Sequence, residues 1–126
     1  MPAPQPLIHD PDFWALGPRP APVDMATELA RAMEVGRFVR RDTTYVQTVY
    51  TVALSPGDLA RFDGRKRELV ATLKDTLAWW ARERDYTAPG ELRVRLIADD
   101  ELSAGQLTVE AGLRRDEAAK LGRIRG

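Results

Sequence analysis

The stretch Thr44-Tyr45-Val46-Gln47-Thr48-Val49-Tyr50-Thr51-Val52-Ala53-Leu54-Ser55-Pro56-Gly57-Asp58 sets a strand directly against a helix start. Residues 44–54 are almost all β-branched or aromatic, the composition of a pleated, half-buried strand. By the two-residue period, Val46, Thr48, Tyr50, Val52 and Leu54 share one face, the expected core face. Tyr45, Gln47, Val49, Thr51 and Ala53 share the other. Ser55 can then cap a helix, Pro56 suits its first position and Asp58 its third. Downstream, Leu69, Leu73, Leu77 and Trp80 recur at helical spacing, so helix is predicted to about Arg84. Asp63-Gly64 is the expected break into a short piece and a long one. Trp79 falls about 100° from Trp80, at the margin of the apolar stripe.

Working outward, Met25, Leu29, Ala32 and Met33 repeat at helical spacing behind Asp24, a candidate cap, and Gly36 is a candidate stop. Arg37–Asp42 reads as an irregular edge or a short strand. Asp85–Gly90 is a loop with a Pro-Gly turn signal. Residues 91–98 alternate, with Leu92, Val94, Leu96 and Ala98 inward and Arg93 and Arg95 outward. Gln106–Ala111 alternates again, with Leu107, Val109 and Ala111 inward, and the two segments suggest an antiparallel pair. The fold class expected is therefore α+β: a two-layer sandwich. A small, mostly antiparallel sheet of three to four strands is covered on one face by two helices.

The domain reading has three parts. Residues 1–22 hold seven of the nine prolines and form a Pro-rich extended tail. Residues 23–113 are the folded domain. Residues 114–126 are a basic C-terminal tail with one short helix around Asp116–Leu121. In the first tail, Phe13 and Trp14 are either a docking motif for a partner or anchors that fold the tail back on its own domain.

These segments, in order, resemble the N-terminal domain of bacterial forkhead-associated (FhaA-type) proteins. The resemblance lies in Tyr45-Val46-x-x-x-Tyr50-x-Val52-x-Leu54-Ser55-Pro56-x-Asp58, in Glu28-Leu29-Ala30, in Tyr86-Thr87-x-x-Gly90 with Val94-Arg95-Leu96, and in Gly105-x-Leu107-x-Val109. It covers roughly residues 23–111. Gln47-Thr48 stands where the family usually has Pro-Asn, and Trp80 where His is frequent. If this chain is the whole protein, the forkhead-associated domain that normally follows is missing and phosphothreonine reading is not expected of it. The resemblance implies a non-catalytic interaction or regulatory domain in bacterial Ser/Thr-kinase signalling and cell-envelope or division control. Its implied partner is a Ser/Thr kinase, a pseudokinase or an envelope-synthesis protein. The fold's likeness to KH-type domains makes a nucleic-acid-binding module the alternative.

Composition narrows the chemistry. Lys+Arg and Asp+Glu are both 19, which does not point to a strongly basic nucleic-acid binder. Cys is absent, so disulfides, cysteine zinc sites and thiol nucleophiles are excluded. A single His, His9, lies among tail prolines and has no scaffold for catalysis. Asp99-Asp100-Glu101 matches no calcium-loop pattern and reads as a solvated turn. No phosphate-cradling Gly-rich loop is present. No apolar run approaches the roughly 20 residues of a membrane span, and the start lacks signal-peptide features, so a cytoplasmic domain is expected. Neither a catalytic centre nor a cofactor or metal is expected. Basic clusters at Arg37, Arg40 and Arg41 and at Arg61, Arg65, Lys66 and Arg67 are either solvated faces or a phosphate-contacting surface. A KH reader would want a Gly-x-x-Gly loop, and the chain has none. The residue types that dominate interfaces make Tyr45, Trp79, Arg93 and Arg95, with Phe13 and Trp14 of the tail, the candidate protein-binding residues.

Overall fold

The computed structural model describes residues 17–122. The tail positions Phe13 and Trp14 lie outside the described residues, as does His9. Helix α1 is Pro22–Gly36, followed by strands β1 (Phe38–Arg40), β2 (Thr43–Tyr45) and β3 (Val49–Leu54). Helices α2 (Pro56–Ala60) and α3 (Lys66–Glu83) come next, then β4 (Arg93–Ala98), β5 (Leu107–Gly112) and α4 (Arg115–Gly122).

The main sheet has the order β4-β3-β5, with β3 parallel to β4 and antiparallel to β5. The architecture is α+β, with helices packed on the sheet. The expected antiparallel pairing of residues 91–98 with 106–111 does not occur, because both strands flank β3 instead. The reason is topological. The helical crossover over residues 55–92 returns the chain to the same end of the sheet, so β4 must run parallel to β3. The Asp99–Gln106 connection is longer than a hairpin loop of two to five residues and can step across β3. The long strand expected over 44–54 is also divided. Its first part pairs with β1 in a separate hairpin, Phe38 opposite Tyr45 and Arg40 opposite Thr43. The hairpin turn, Arg41-Asp42, holds both residues at positive φ (49° and 64°), as a type I′ turn requires.

The helix start at Ser55 is as the residues demand: its Oγ accepts the Asp58 N–H at 3.2 Å, and Pro56 opens α2. Gly64, at φ +83°, turns the chain between α2 and α3. Helix α1 begins earlier than Asp24 suggested. Pro22 is its first residue, and Asp24 instead reaches back, its carboxylate accepting the Ala21 N–H at 2.7 Å.

The inner sheet face carries Tyr50, Val52 and Leu54, all fully buried, with Val94 beside them. They meet Leu69, Leu73, Leu77 and Trp80 of α3 and Met25, Leu29 and Met33 of α1 in one apolar interior. Helix α4 caps the end of the sheet through two buried side chains, Leu121 and Glu117. The Glu117 carboxylate accepts from the Thr48 hydroxyl and from the Arg114 N–H (3.1 Å). It lies against Gly90, where a Cβ would displace the carboxylate from its present position.

Candidate interaction surface

With one face sealed, the alternation of the strands fixes what the other presents. The pleat sends Arg93, Arg95 and Ile97 of β4, Val49, Thr51 and Ala53 of β3, and Thr108 and Glu110 of β5 outward. The flanking charged residues are exposed while the central row is half-buried or buried by its neighbours. Register aligns Arg95, Thr51 and Glu110 in one row across the sheet. A positive edge on β4 and a negative position on β5 thus flank a small, weakly polar centre. Arg93 lies 3.6 Å from Glu91, which also binds Lys74 at 3.1 Å. Arg95 and Glu110 make no side-chain hydrogen bond or ion pair with any described residue.

Of the described residues singled out in the sequence, the structure brings together only Arg93 and Arg95. Tyr45 belongs to the β1–β2 hairpin, its ring stacked on Phe38 at 5.8 Å, with the Arg40 guanidinium over the other ring. Trp79 sits half-buried on α3, in the helical layer, tilted against Trp80 at 6.2 Å. The α3 layer and the outward arginines are on opposite sides of the sheet.

Arg37, Arg61, Arg65 and Lys66 of the basic clusters are engaged within the fold. Arg61 donates to the Pro18 and Pro20 carbonyls at 3.1 Å each and lies 3.5 Å from Asp58. Arg65 pairs with Glu68 at 2.9 Å and Lys66 with Asp63 at 3.2 Å. Arg37 lies 3.4 Å from Glu34. The turn between α2 and α3 therefore carries cations already matched by anions or carbonyls of the fold.

Two acids, Glu34 and Asp58, make long-range contacts that sequence reasoning missed, while Asp99 keeps to the turn expected of it. Glu34 accepts from the Trp80 indole N–H (3.0 Å) and the Tyr86 hydroxyl (2.8 Å), with the Arg84 guanidinium stacked on Trp80 at 4.3 Å. Burial, then the hydrogen bond and charge of Glu34, raise the Tyr86 phenol above its usual range, partly offset by Arg37 and Arg84. One signal was available: an acid in the last turn of α1 opposes the helix dipole and needs compensation. Asp58 accepts the Gly105 N–H at 2.7 Å, pinning the β4–β5 connection to α2. That bond, opposed by burial and aided by Ser55 and Arg61, holds its carboxyl below the ordinary value. Asp99 serves its own turn, accepting the Glu101 N–H at 2.9 Å. Among the described residues no three His, Asp or Glu side chains converge as metal ligands, and no helix is long and apolar enough to cross a membrane.

Helices thus seal one face of a small α+β domain and leave the other face of the sheet open and flanked by charges. The sequence model of the FhaA N-terminal domain matches residues 15–110, and the chain belongs to that family. Membership is consistent with a non-catalytic interaction or regulatory domain. The solved Rv0020c_Nter structure shares the fold, with a TM-score of 0.65 over 75% of this chain and 73% of the other, at 20% identity. No curated protein gives a significant match. Helix α4 lies beyond the matched segment.

Proposed function

We propose that this domain is non-catalytic and acts in the cytoplasm by binding proteins, as a regulatory or scaffolding module in bacterial Ser/Thr-kinase signalling and cell-envelope or division control. The observation that supports this most is the uncovered sheet face, whose Arg95 and Glu110 have no partner among the described residues. The strand backbone beneath them is already ordered, so a partner that engages them has only their side chains to fix. Arg93 and Arg95 are the contacts proposed on this face, and Tyr45 and Trp79 are separate anchors elsewhere. A Ser/Thr kinase, a pseudokinase or an envelope-synthesis protein is the partner class. The KH-like alternative has weaker support, because the helix–helix turn lacks Gly-x-x-Gly and its Arg61, Arg65 and Lys66 are already engaged.

The experiment is affinity capture from bacterial lysate with the wild type and the R93E/R95E variant, with and without nuclease. The reading expects a kinase, pseudokinase or envelope protein that the variant loses and nuclease does not release. Recovery of RNA with a steep salt dependence overturns it in favour of the nucleic-acid alternative.

A further inference from the structure

The open face has a polarity that selects an occupant. Its β4 side is positive through Arg95, its β5 side negative through Glu110, and the two lie in one row with Thr51 between them. Strands are spaced about 4.8 Å apart, so the backbones at the two positions stand roughly 10 Å from each other, and the two side chains do not bridge in this structure. Both are exposed, and neither has a side-chain partner among the described residues.

Stacking a second sheet on this face has two simple two-fold arrangements. An axis across the strands places β4 over β4 and sets like charges together. An axis along the strands places β4 of one copy over β5 of the other, at the same height. Arg95 of each copy then faces Glu110 of its partner, and Thr51 faces Thr51. The face is self-complementary only in this second arrangement, which is the isologous contact a two-fold dimer requires. The small residues of the central row, Thr51 and Ala53, let aligned sheets approach to the usual spacing of about 10 Å.

We infer that the occupant of the open face is a second copy of this chain, held by reciprocal Arg95–Glu110 pairs in an aligned sheet-on-sheet dimer. The inference rests on reading that face as an interaction surface and names what covers it. Three strands of six residues give a face of roughly 14 by 20 Å. Two such faces amount to roughly 560 Å², below the about 1,000 Å² of a stable specific interface, so the dimer is weak and exchanges readily.

The test is sedimentation velocity on the full chain from about 10 μM to about 1 mM at low salt, a range that spans weak affinities. Four proteins are compared: wild type, R95E, E110R and R95E/E110R, each first checked for native circular dichroism. The wild type is expected to shift from its 14.1 kDa monomer toward twice that mass. Each single reversal places like charges opposite one another and is expected to weaken the dimer at least tenfold. The double reversal restores opposite pairs and is expected to restore dimerisation. A wild type that stays monomeric throughout overturns the inference. So does self-association that the single reversals leave unchanged, or a double variant no better than the singles. A monomeric wild type that still captures its protein partner overturns the dimer alone and leaves the binding function standing.

Discussion

Arg95 and Glu110 occupy the same cross-sheet row on opposite edges of the β4-β3-β5 sheet, one strand apart on either side of Thr51. Neither position is needed by the core, since the residues that alternate with them, Val94 and Val109, already face the helices. The row is thus free to serve recognition, while the opposite face carries the folding energy.

That separation predicts where stability is sensitive. Tyr50 is wholly buried on β3, and its hydroxyl has no hydrogen-bond partner. Desolvation alone raises its phenol far above the ordinary value of 10.0. Tyr50→Phe removes the unmatched hydroxyl and keeps the ring, so it is expected to stabilise the domain by about 1 kcal/mol. Urea unfolding checks this, with an unchanged m-value showing that the gain is in stability itself.

Glu34 should behave in the opposite sense. Glu34→Ala leaves the Trp80 indole and the Tyr86 hydroxyl without their acceptor and is expected to cost about 2 kcal/mol. Glu34→Gln keeps one carbonyl acceptor and should cost less. The pH dependence separates charge from shape. Tyr86 has a raised pKa in the folded state, so the stability linked to it is complete below its unfolded value of 10.0 and is lost as pH rises beyond that. Removing the charge in Glu34→Gln shrinks this alkaline loss. Thermal melts between neutral pH and pH 11 read the difference.

At the acid end the controlling group is Asp58. Its pKa is depressed first by the Gly105 N–H, so its contribution is present above the unfolded value of 3.8 and is lost as pH falls through the lower folded value. Asp58→Ala is expected to cost about 2 kcal/mol at neutral pH and to flatten the acid limb of the stability curve. Denaturant midpoints at pH 7 and pH 3 compare the two proteins.

Two glycines provide a backbone contrast. Gly57 lies inside α2 with open space for a Cβ, so Gly57→Ala is expected to gain about 0.5 kcal/mol. Gly64 also has room for a Cβ but sits at φ +83°. Gly64→Ala is expected to lose about 1 kcal/mol, because only the backbone conformation opposes it. Opposite signs in the two melting curves are the expected result.

Much of the fold was legible because it rests on strong local patterns. The β-branched run ending in Ser55-Pro56 announced β3 and α2. The Leu69, Leu73, Leu77 and Trp80 stripe announced α3, and the alternation around Val94 announced β4. Pairing was less legible, since strand composition does not say which neighbour a strand meets. The β1–β2 hairpin hid behind Arg41-Asp42, which reaches positive φ without the Asn-Gly signature of such turns. Arg93 and Arg95 could be placed outward by period alone. Glu110 could be placed too, but its alignment with Arg95 needed the register of both edges on β3. The contacts that Glu34, Asp58 and Glu117 make were not legible, because their donors come from distant segments of the chain.

The most direct measurement follows backbone amide resonances of ¹⁵N-labelled protein as its own concentration is raised from about 20 μM to about 1 mM, the range of a weak complex. The account predicts shifts confined to the outward row and its neighbours, centred on Thr51, Arg95 and Glu110, with the amides of α1 and α3 unmoved. Shifts clustered on the helical layer, or none anywhere, would contradict it.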